Sequence, residues 1–264
     1  MKKQLRSICD FMALLGIDPR RMVNVFRGLP KYCRDAWCLR KQGKASQHRF
    51  AFGKIYPCSM DGAAESGVAR GHYFHQDLLV ARRICLNNPV LHVDVGSRID
   101  GFVAHVAAFR QIEVFDIRPL LSHITNVRFV QANLMEHIPP NLIDYCDSLS
   151  CLHAVEHFGL GRYGDPIVYD GYMIALDNLT RMLRKNGRLY LSVPIGPERI
   201  EFNAHRVFSV FHLLDLFREQ YRIECFSFVD DGGELHENVD LADSDVRTNY
   251  GCRYGCGVFE MRKL

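Results

Sequence analysis

Residues 91–120, LHVDVGSRIDGFVAHVAAFRQIEVFDIRPL, constrain the fold more than any other stretch of the chain. Leu91–Val95 reads as a short buried strand and Gly96 to Gly101 as a tight loop. Phe102–Phe109 has the length and apolar content of a short helix, and Ile112–Phe115 reads as a second buried strand. That strand ends on Asp116, an acid about 20 residues past the turn, which is the spacing of units that hold a nucleotide-like ligand. The glycines let backbone approach the ligand, and the helix N-terminus offers free N–H groups. The acid can accept both ribose hydroxyl protons.

The same residues narrow the ligand. A dinucleotide fingerprint needs three glycines, the middle one to admit the pyrophosphate. Gly96 and Gly101 stand at the first and last places, but Arg98 occupies the middle one. Asp94 precedes the loop and would set negative charge beside a diphosphate. An acid there suits a cationic ligand, such as the amino group and sulfonium of S-adenosylmethionine. The bland alternative is an ordinary strand–helix–strand unit with a helix-capping glycine. The stretch resembles motif I and the second-strand acid of the class I S-adenosylmethionine-dependent methyltransferases.

The remaining chain alternates helix and strand as an α/β sheet requires. Leu5, Ile8, Phe11, Met12 and Leu15 share a helical face. Asp18-Pro19 caps a helix over Pro19–Arg27, and Pro30–Lys41 reads as a further helix. The basic residues Arg20, Arg21, Lys31, Arg34, Arg40, Lys41 and Lys44 read as a solvated face, the rival being a surface for an anionic substrate or partner. Residues 43–70 look irregular, and GHYFHQDLLVARRICLNNP is a helix that places His72, His75 and Asp77 at its start. Residues 1–70 are therefore expected to be a helical and irregular extension, and 71–264 the α/β domain.

After Asp116, Arg118–Leu121 is expected to form a short helix and Val127–Val130 a third strand. Asp147–Leu152 reads as the fourth strand, residues 170–185 as a helix, and Arg188–Val193 as the fifth strand. Phe208–Phe217 reads as a helix, Tyr221–Val229 as a sixth strand, 230–250 as a polar exposed loop, and Gly255–Met261 as a last, antiparallel strand.

Composition excludes little but usefully. The net charge of +3 is too small to argue for nucleic acid. No apolar run is long enough to span a bilayer, and Arg6 and Asp10 interrupt any signal-peptide core. Among ten cysteines, Cys38, Cys85, Cys146, Cys151 and Cys225 sit in apolar or helical patterns, as reduced core cysteines do. Cys33/Cys38 and Cys252/Cys256 lack the usual two-residue spacing of zinc pairs. A reduced, cytoplasmic protein is the expectation. Nothing in the sequence fixes the oligomeric state.

The most chemical stretch is CLHAVEHFGLGRYGD. His153, Glu156 and His157 have the spacing that puts three side chains on one face of a helical turn. H-x-x-E-H also matches an inverted zinc-protease signature, but that motif belongs inside a long helix, and here glycines follow. Two chemistries remain, beside a purely structural role in which Glu156 caps or pairs locally. One is a divalent metal on His153, Glu156, His157 and His205, a donor set suited to Zn²⁺ or Mn²⁺, that lowers the pKa of an acceptor hydroxyl. The other uses His157 or His205 as general base without a metal. Asp165, Arg199, Glu201, Asn203 and Arg206 are candidates for the substrate side.

Residues from about Phe50 to Ser209 resemble a family known only as a domain of unknown function, with bacterial and animal members. The segments that carry the likeness are GHYFHQDLLVA, HVDVGSRIDGFVAH, FDIRPL, LSCLHAVEHFGLGRYGD and LSVPIGPERIEFNAHRVF. The resemblance implies a Rossmann-like class I methyltransferase sheet. It implies S-adenosylmethionine bound by Asp94, Gly96, Ser97, Arg98, Gly101, Asp116, Ile117, Leu134 and Cys151, with Asn133 at the adenine amino group. Bacterial members tend to sit among genes for surface polysaccharides, which suggests O-methylation of a small-molecule or glycan hydroxyl. The alternatives are a non-catalytic binding or scaffold protein on a degenerate methyltransferase fold, favoured by Arg98, and a nicotinamide oxidoreductase, disfavoured by Asp94.

Overall fold

A computed structural model describes residues 19–48, 50–56, 58, 66–242 and 244–264. The chain divides into two units, residues 1–68 and 69–264. Among the described residues of the first, one continuous helix, α1 (Pro19–Ala45), runs through Pro30. The sequence reading breaks the helix there because an internal proline has no N–H for the preceding turn. One lost hydrogen bond does not end this helix, and Lys31 and Asp35, one turn apart, pair across its surface at 2.8 Å. The helical face Leu5–Leu15 lies outside the described residues. No helix of the described residues is long and apolar enough to cross a membrane.

The second unit is built on one large sheet. Its elements in chain order are α2 (His72–Asn87), β1 (His92–Val95), α3 (Ala104–Ala107), β2 (Ile112–Asp116), β3 (Val127–Gln131), β4 (Cys146–Leu152), α4 (Gly171–Met182), β5 (Leu183–Ile195), β6 (Arg199–Glu201), β7 (His205–Val207), α5 (Val210–Phe217), β8 (Tyr221–Val229), β9 (Leu235–His236) and β10 (Gly255–Lys263). Eight strands run in the order β3-β2-β1-β4-β5-β10-β8-β9. β1 to β5 pair in parallel, and β10 inserts antiparallel between β5 and β8. β6 and β7 form a separate hairpin.

Both faces of the sheet are covered, which is why β1 is buried along its whole length. Val93 and Val95 join one core with Leu149, Leu191 and helices α4 and α5. On the other face Ile112 and Val114 pack with Leu79, Ile84, Phe102 and Val106. Each fully buried aliphatic side chain contributes about 1.5–3 kcal/mol. His92 and Asp94 fall on the second face among these apolar groups, so each must find polar partners within the fold. His92 bridges Ser148 Oγ at 2.8 Å and Ser150 Oγ at 3.1 Å.

Three local expectations are corrected. The helix expected from Phe102 begins instead as a wide turn, Ile99–Val103, followed by the four-residue α3. Gly101 explains this: its backbone is non-helical, and a Cβ there would lie 2.5 Å from Asp77 Oδ2. Arg118–Leu121 is not helical, because Asp116 accepts both the Arg118 N–H and its guanidinium and fixes a turn. Residues 230–250 are not a plain exposed loop. They contain β9 and a 3-10 segment, Ser244–Gly251, with Val246 and Asn249 buried. Asn249 Oδ1 accepts the Val210 N–H at 2.8 Å and so caps α5.

Candidate functional site

The carboxyl ends of β1, β2 and β4 open on a cavity of about 510 Å³. This is where parallel sheets place ligands, beside the point at which strand order reverses. The sequence-predicted residues Gly96, Ser97, Arg98, Asp116, Ile117, Asn133, Leu134, His153 and His157 line it. Asp94, Gly101, Cys151, Glu156 and His205 do not.

Asp94 is fully buried beneath the loop. Its carboxylate accepts Ser97 N–H at 3.1 Å, Ser97 Oγ–H at 2.6 Å and Ser150 Oγ–H at 2.5 Å. Ser97 Oγ in turn accepts Leu152 N–H at 3.2 Å, tying the loop to the end of β4. Asp94 therefore shapes the loop from behind and presents no oxygen to the cavity. Burial pushes its pKa up to about 7, against the pull of the serine hydrogen bonds. Gly96 has φ +72, and a Cβ there would lie 2.9 Å from Ala154 Cβ, so the turn needs glycine on both grounds.

Arg98, in the place of the middle glycine, swings outward. Its guanidinium binds Asp100 at 2.9–3.1 Å and lies over the Tyr73 ring at 5.0 Å. It borders the cavity without filling it. Asp116 ends β2 as expected, but Arg118 holds it: Nε lies 3.0 Å from Oδ1 and Nη2 lies 2.6 Å from Oδ2. The same guanidinium rests on the Tyr163 ring at 4.4 Å. Asn133 is engaged locally, accepting Met135 N–H and donating to Glu136 Oε1, both at 3.1 Å. Cys151 is a core thiol whose pKa burial raises well above its ordinary value.

The histidine stretch is not a helix. His153 sits at φ +49, a left-handed conformation that costs a non-glycine residue roughly 1 kcal/mol, and only Val155–His157 make a 3-10 turn. Two bonds from the His153 N–H, to Ser192 O at 3.0 Å and Ser192 Oγ at 3.1 Å, hold it there. His153 Nδ1 meets Glu156 Oε1 at 2.7 Å, while His153 Nε2 and Glu156 Oε2 are buried without a hydrogen-bond partner. Burial alone would pull the His153 imidazole down, but Cys256 and the Glu156 carboxylate outweigh it and hold it well above its ordinary value.

His157 faces the cavity from the same turn. Its Nδ1 donates to the Ala204 carbonyl at 2.6 Å, and its Nε2 lies 3.7 Å from Glu156 Oε1. Burial lowers its pKa, and the nearby Arg162 and His153 add to the fall against Glu156 and Ala204. His205 on β7 lies 3.3 Å from Glu201 and packs on Tyr254, whose ring also meets His72. The four metal candidates of the sequence therefore do not converge on one point.

Of the substrate-side candidates, only Asp165 lines the cavity. It accepts Gly159, Gly161 and Tyr163 N–H groups and so sets the glycine loop. Arg206 is buried and spent on the Phe158 and Tyr169 carbonyls at 2.6 and 2.7 Å. Arg199 pairs with Glu201 at 2.8 Å, and Asn203 occupies a turn at φ +62. His75 and Asp77 do not line the cavity, but Tyr73 from the same helix does. Tyr73, Phe158 and Tyr163 were not singled out by the sequence; their signal, aromatics flanking the chemical stretches, is too common to read unaided.

Residues 105–261, more than half of the chain, match the model of the family described as Caenorhabditis protein of unknown function, DUF268. No curated protein matches the chain. Among solved structures it is similar to the 1,6-didemethyltoxoflavin-N1-methyltransferase of Burkholderia thailandensis, solved with 1,6-didemethyltoxoflavin and S-adenosylhomocysteine. That likeness has 16% identity, covers 74% of this chain and 79% of that one, and has a TM-score of 0.52. The [4+2]-cyclase SpnF is similar at 16% identity, over 72% of this chain and 80% of its own, with a TM-score of 0.50. At these identities the likeness is one of fold, and the fold is the Rossmann-like methyltransferase sheet expected from the sequence.

Proposed function

The chain belongs to the DUF268 family, and we propose that it is an S-adenosylmethionine-dependent methyltransferase acting on a hydroxyl oxygen, of a sugar or glycan precursor. One observation carries the reading: a single cavity of about 510 Å³ joins the glycine loop, the Asp116 carboxylate and the His157 imidazole. That size suits a cofactor with part of an acceptor. The residues fit the cofactor in kind. Gly96 keeps the loop low, Asp116 supplies two acceptor oxygens for ribose hydroxyls, and Ile117, Asn133 and Leu134 offer a partly apolar wall for adenine.

Bound S-adenosylmethionine would supply an electrophilic methyl group. The chain's own part is to position and deprotonate the acceptor. His157 is held neutral near pH 7 by burial, and the Ala204 carbonyl fixes its Nδ1–H tautomer. Nε2 is then the basic nitrogen, and Glu156 at 3.7 Å stabilises the imidazolium once it takes a proton. Asp94 acts through Ser97, and His205 through Tyr254, as positioning residues. Closeness and orientation supply much of the acceleration.

The test is calorimetric titration with S-adenosylmethionine and S-adenosylhomocysteine, then transfer of labelled methyl groups to nucleotide sugars and oligosaccharides. Micromolar binding and transfer are expected, and His157→Ala should keep the binding while lowering turnover by roughly 10²–10⁴-fold. Absence of binding would remove the enzyme reading and leave a binding protein on a methyltransferase-like fold.

A further inference from the structure

The acceptor end of the cavity wall hides a second cluster that the methyl-transfer reading does not use. His72 at the start of α2, His153 after β4 and Cys256 on β10 bring three ligand atoms within 4.8 Å of one another. Among the described residues no other three histidine, cysteine or acidic side chains gather so closely. Cys256 is fully buried and His153 is more than nine-tenths buried. The His72 and His153 rings lie 5.2 Å apart and 11° from parallel. A metal bond lies in the plane of each ring, so loading turns half-buried His72 out of this stack to bring both nitrogens to ~2.0–2.1 Å from one ion.

The hydrogen bonding around the cluster has the form of a metal site's outer shell. His153 gives Nδ1 to the Glu156 carboxylate, which leaves Nε2 as the nitrogen open to an ion, and Nε2 is buried without a partner. His72 packs its ring against Tyr254, with the ring centres 5.4 Å apart. A carboxylate or carbonyl on one nitrogen and a metal on the other is the usual arrangement of a ligating histidine. The Cys256 thiol, 3.6 Å from Gln76 Oε1, is the soft third donor. Left-handed His153 is the residue that completes the set, and its backbone strain is maintained by two hydrogen bonds.

We infer that His72, His153 and Cys256 form a binding site for a thiophilic divalent ion of the Zn²⁺ class, with Glu156 as the outer-shell partner of His153. Two imidazoles and a thiolate select Zn²⁺ over Mg²⁺ or Ca²⁺. Binding needs the neutral imidazole of His153 and the thiolate of Cys256, so the protons that these two groups hold leave to solvent as the ion enters. The site joins α2, the end of β4 and β10, and reaches the cavity through His153. It differs from the set expected from the sequence, sharing only His153. It does not depend on methyl transfer, since metal loading is read without cofactor or acceptor.

The test uses the full chain, stripped with a chelator and titrated with Zn²⁺ and with Co²⁺. One equivalent of either ion is expected, and the Co²⁺ form should show a thiolate-to-metal charge-transfer band and intense tetrahedral d–d bands. Cys256→Ser should abolish the charge-transfer band, and Cys256→Ser and His72→Ala should each weaken Zn²⁺ roughly a hundredfold or more. Glu156→Gln should weaken it about ten- to hundredfold. Cys252→Ser should change neither the band nor the affinity. Circular dichroism of the metal-free variants separates lost binding from lost fold, and half-buried His72 is the substitution least costly to the core. Failure of the stripped protein to bind either ion, or a charge-transfer band that survives Cys256→Ser, would overturn the assignment.

Discussion

The two ends of the cavity manage their polar groups in opposite ways. At the glycine-loop end the charges are already matched within the chain. Asp94 takes three donors, Arg98 takes Asp100, and Asp116 takes Arg118. At the histidine end, His153 Nε2 and Glu156 Oε2 are buried with nothing to bond. A buried polar atom without a partner costs about 1–3 kcal/mol, so the first end is closed in the free protein and the second is left wanting a ligand. A visitor to the loop end must displace internal partners, whereas an ion at the histidine end displaces only protons.

The strongest way to break this contrast is at Asp116. Charge-assisted hydrogen bonds contribute about 1.5–3 kcal/mol each, and the reading gives the ribose two of them. Asp116→Ala is expected to weaken S-adenosylhomocysteine by roughly a hundredfold or more in calorimetric titration, while the circular dichroism spectrum stays that of the parent. Affinity within a factor of three of the parent's would place the ribose elsewhere.

Asp94 sharpens the contrast through pH. Its folded pKa of about 7 stands above the unfolded value of 3.8, so the folded state holds the proton more tightly. The stability this group contributes is whole below about pH 4 and is lost as pH rises toward and through 7. The full loss is on the order of 4 kcal/mol, before the relaxation that real interiors permit. Asp94→Asn removes the titration, so wild-type stability relative to the variant should fall between pH 4 and pH 7 and level off above. Denaturant unfolding across that range measures it, and parallel curves would show that the serine hydrogen bonds, not burial, govern the carboxylate.

Why was the loop end so much more legible in the sequence than the histidine end? The loop lies in one continuous stretch, and its glycines and terminal acid are required by backbone geometry, so spacing alone located Gly96 and Asp116. Sheet alternation likewise located the strands, with errors where side chains overrule the backbone. Gly101 makes room for Asp77 and unwinds a helix, and Asp116 grips Arg118 and prevents another. The histidine cluster is assembled from α2, β4 and β10, which are distant in sequence. His153-x-x-Glu156-His157 suggested a shared helical face, but His153 is left-handed and points toward Cys256 and His72 instead. Cys256 was visible only as half of a poorly spaced pair with Cys252. Local spacing carries no information about which strand will be inserted beside β5, and the insertion of β10 there is what delivers Cys256.

Arg118 offers the finest test of the contrast, because there the matched end competes with its own ligand. The guanidinium holds both Asp116 oxygens yet is itself about half exposed, its other contact being the Tyr163 ring. An ion pair with that exposure is screened by water and contributes about 1 kcal/mol or less. If ribose hydroxyls must take over those oxygens, part of that pairing is given up on binding. Arg118→Ala should therefore tighten S-adenosylhomocysteine about two- to fivefold, and the gain should shrink as salt is raised, since salt already weakens the pair in the parent. A variant that binds more weakly at every salt concentration would mean that Arg118 leaves Asp116 to contact the ligand directly, and would turn the internal partner into part of the binding site.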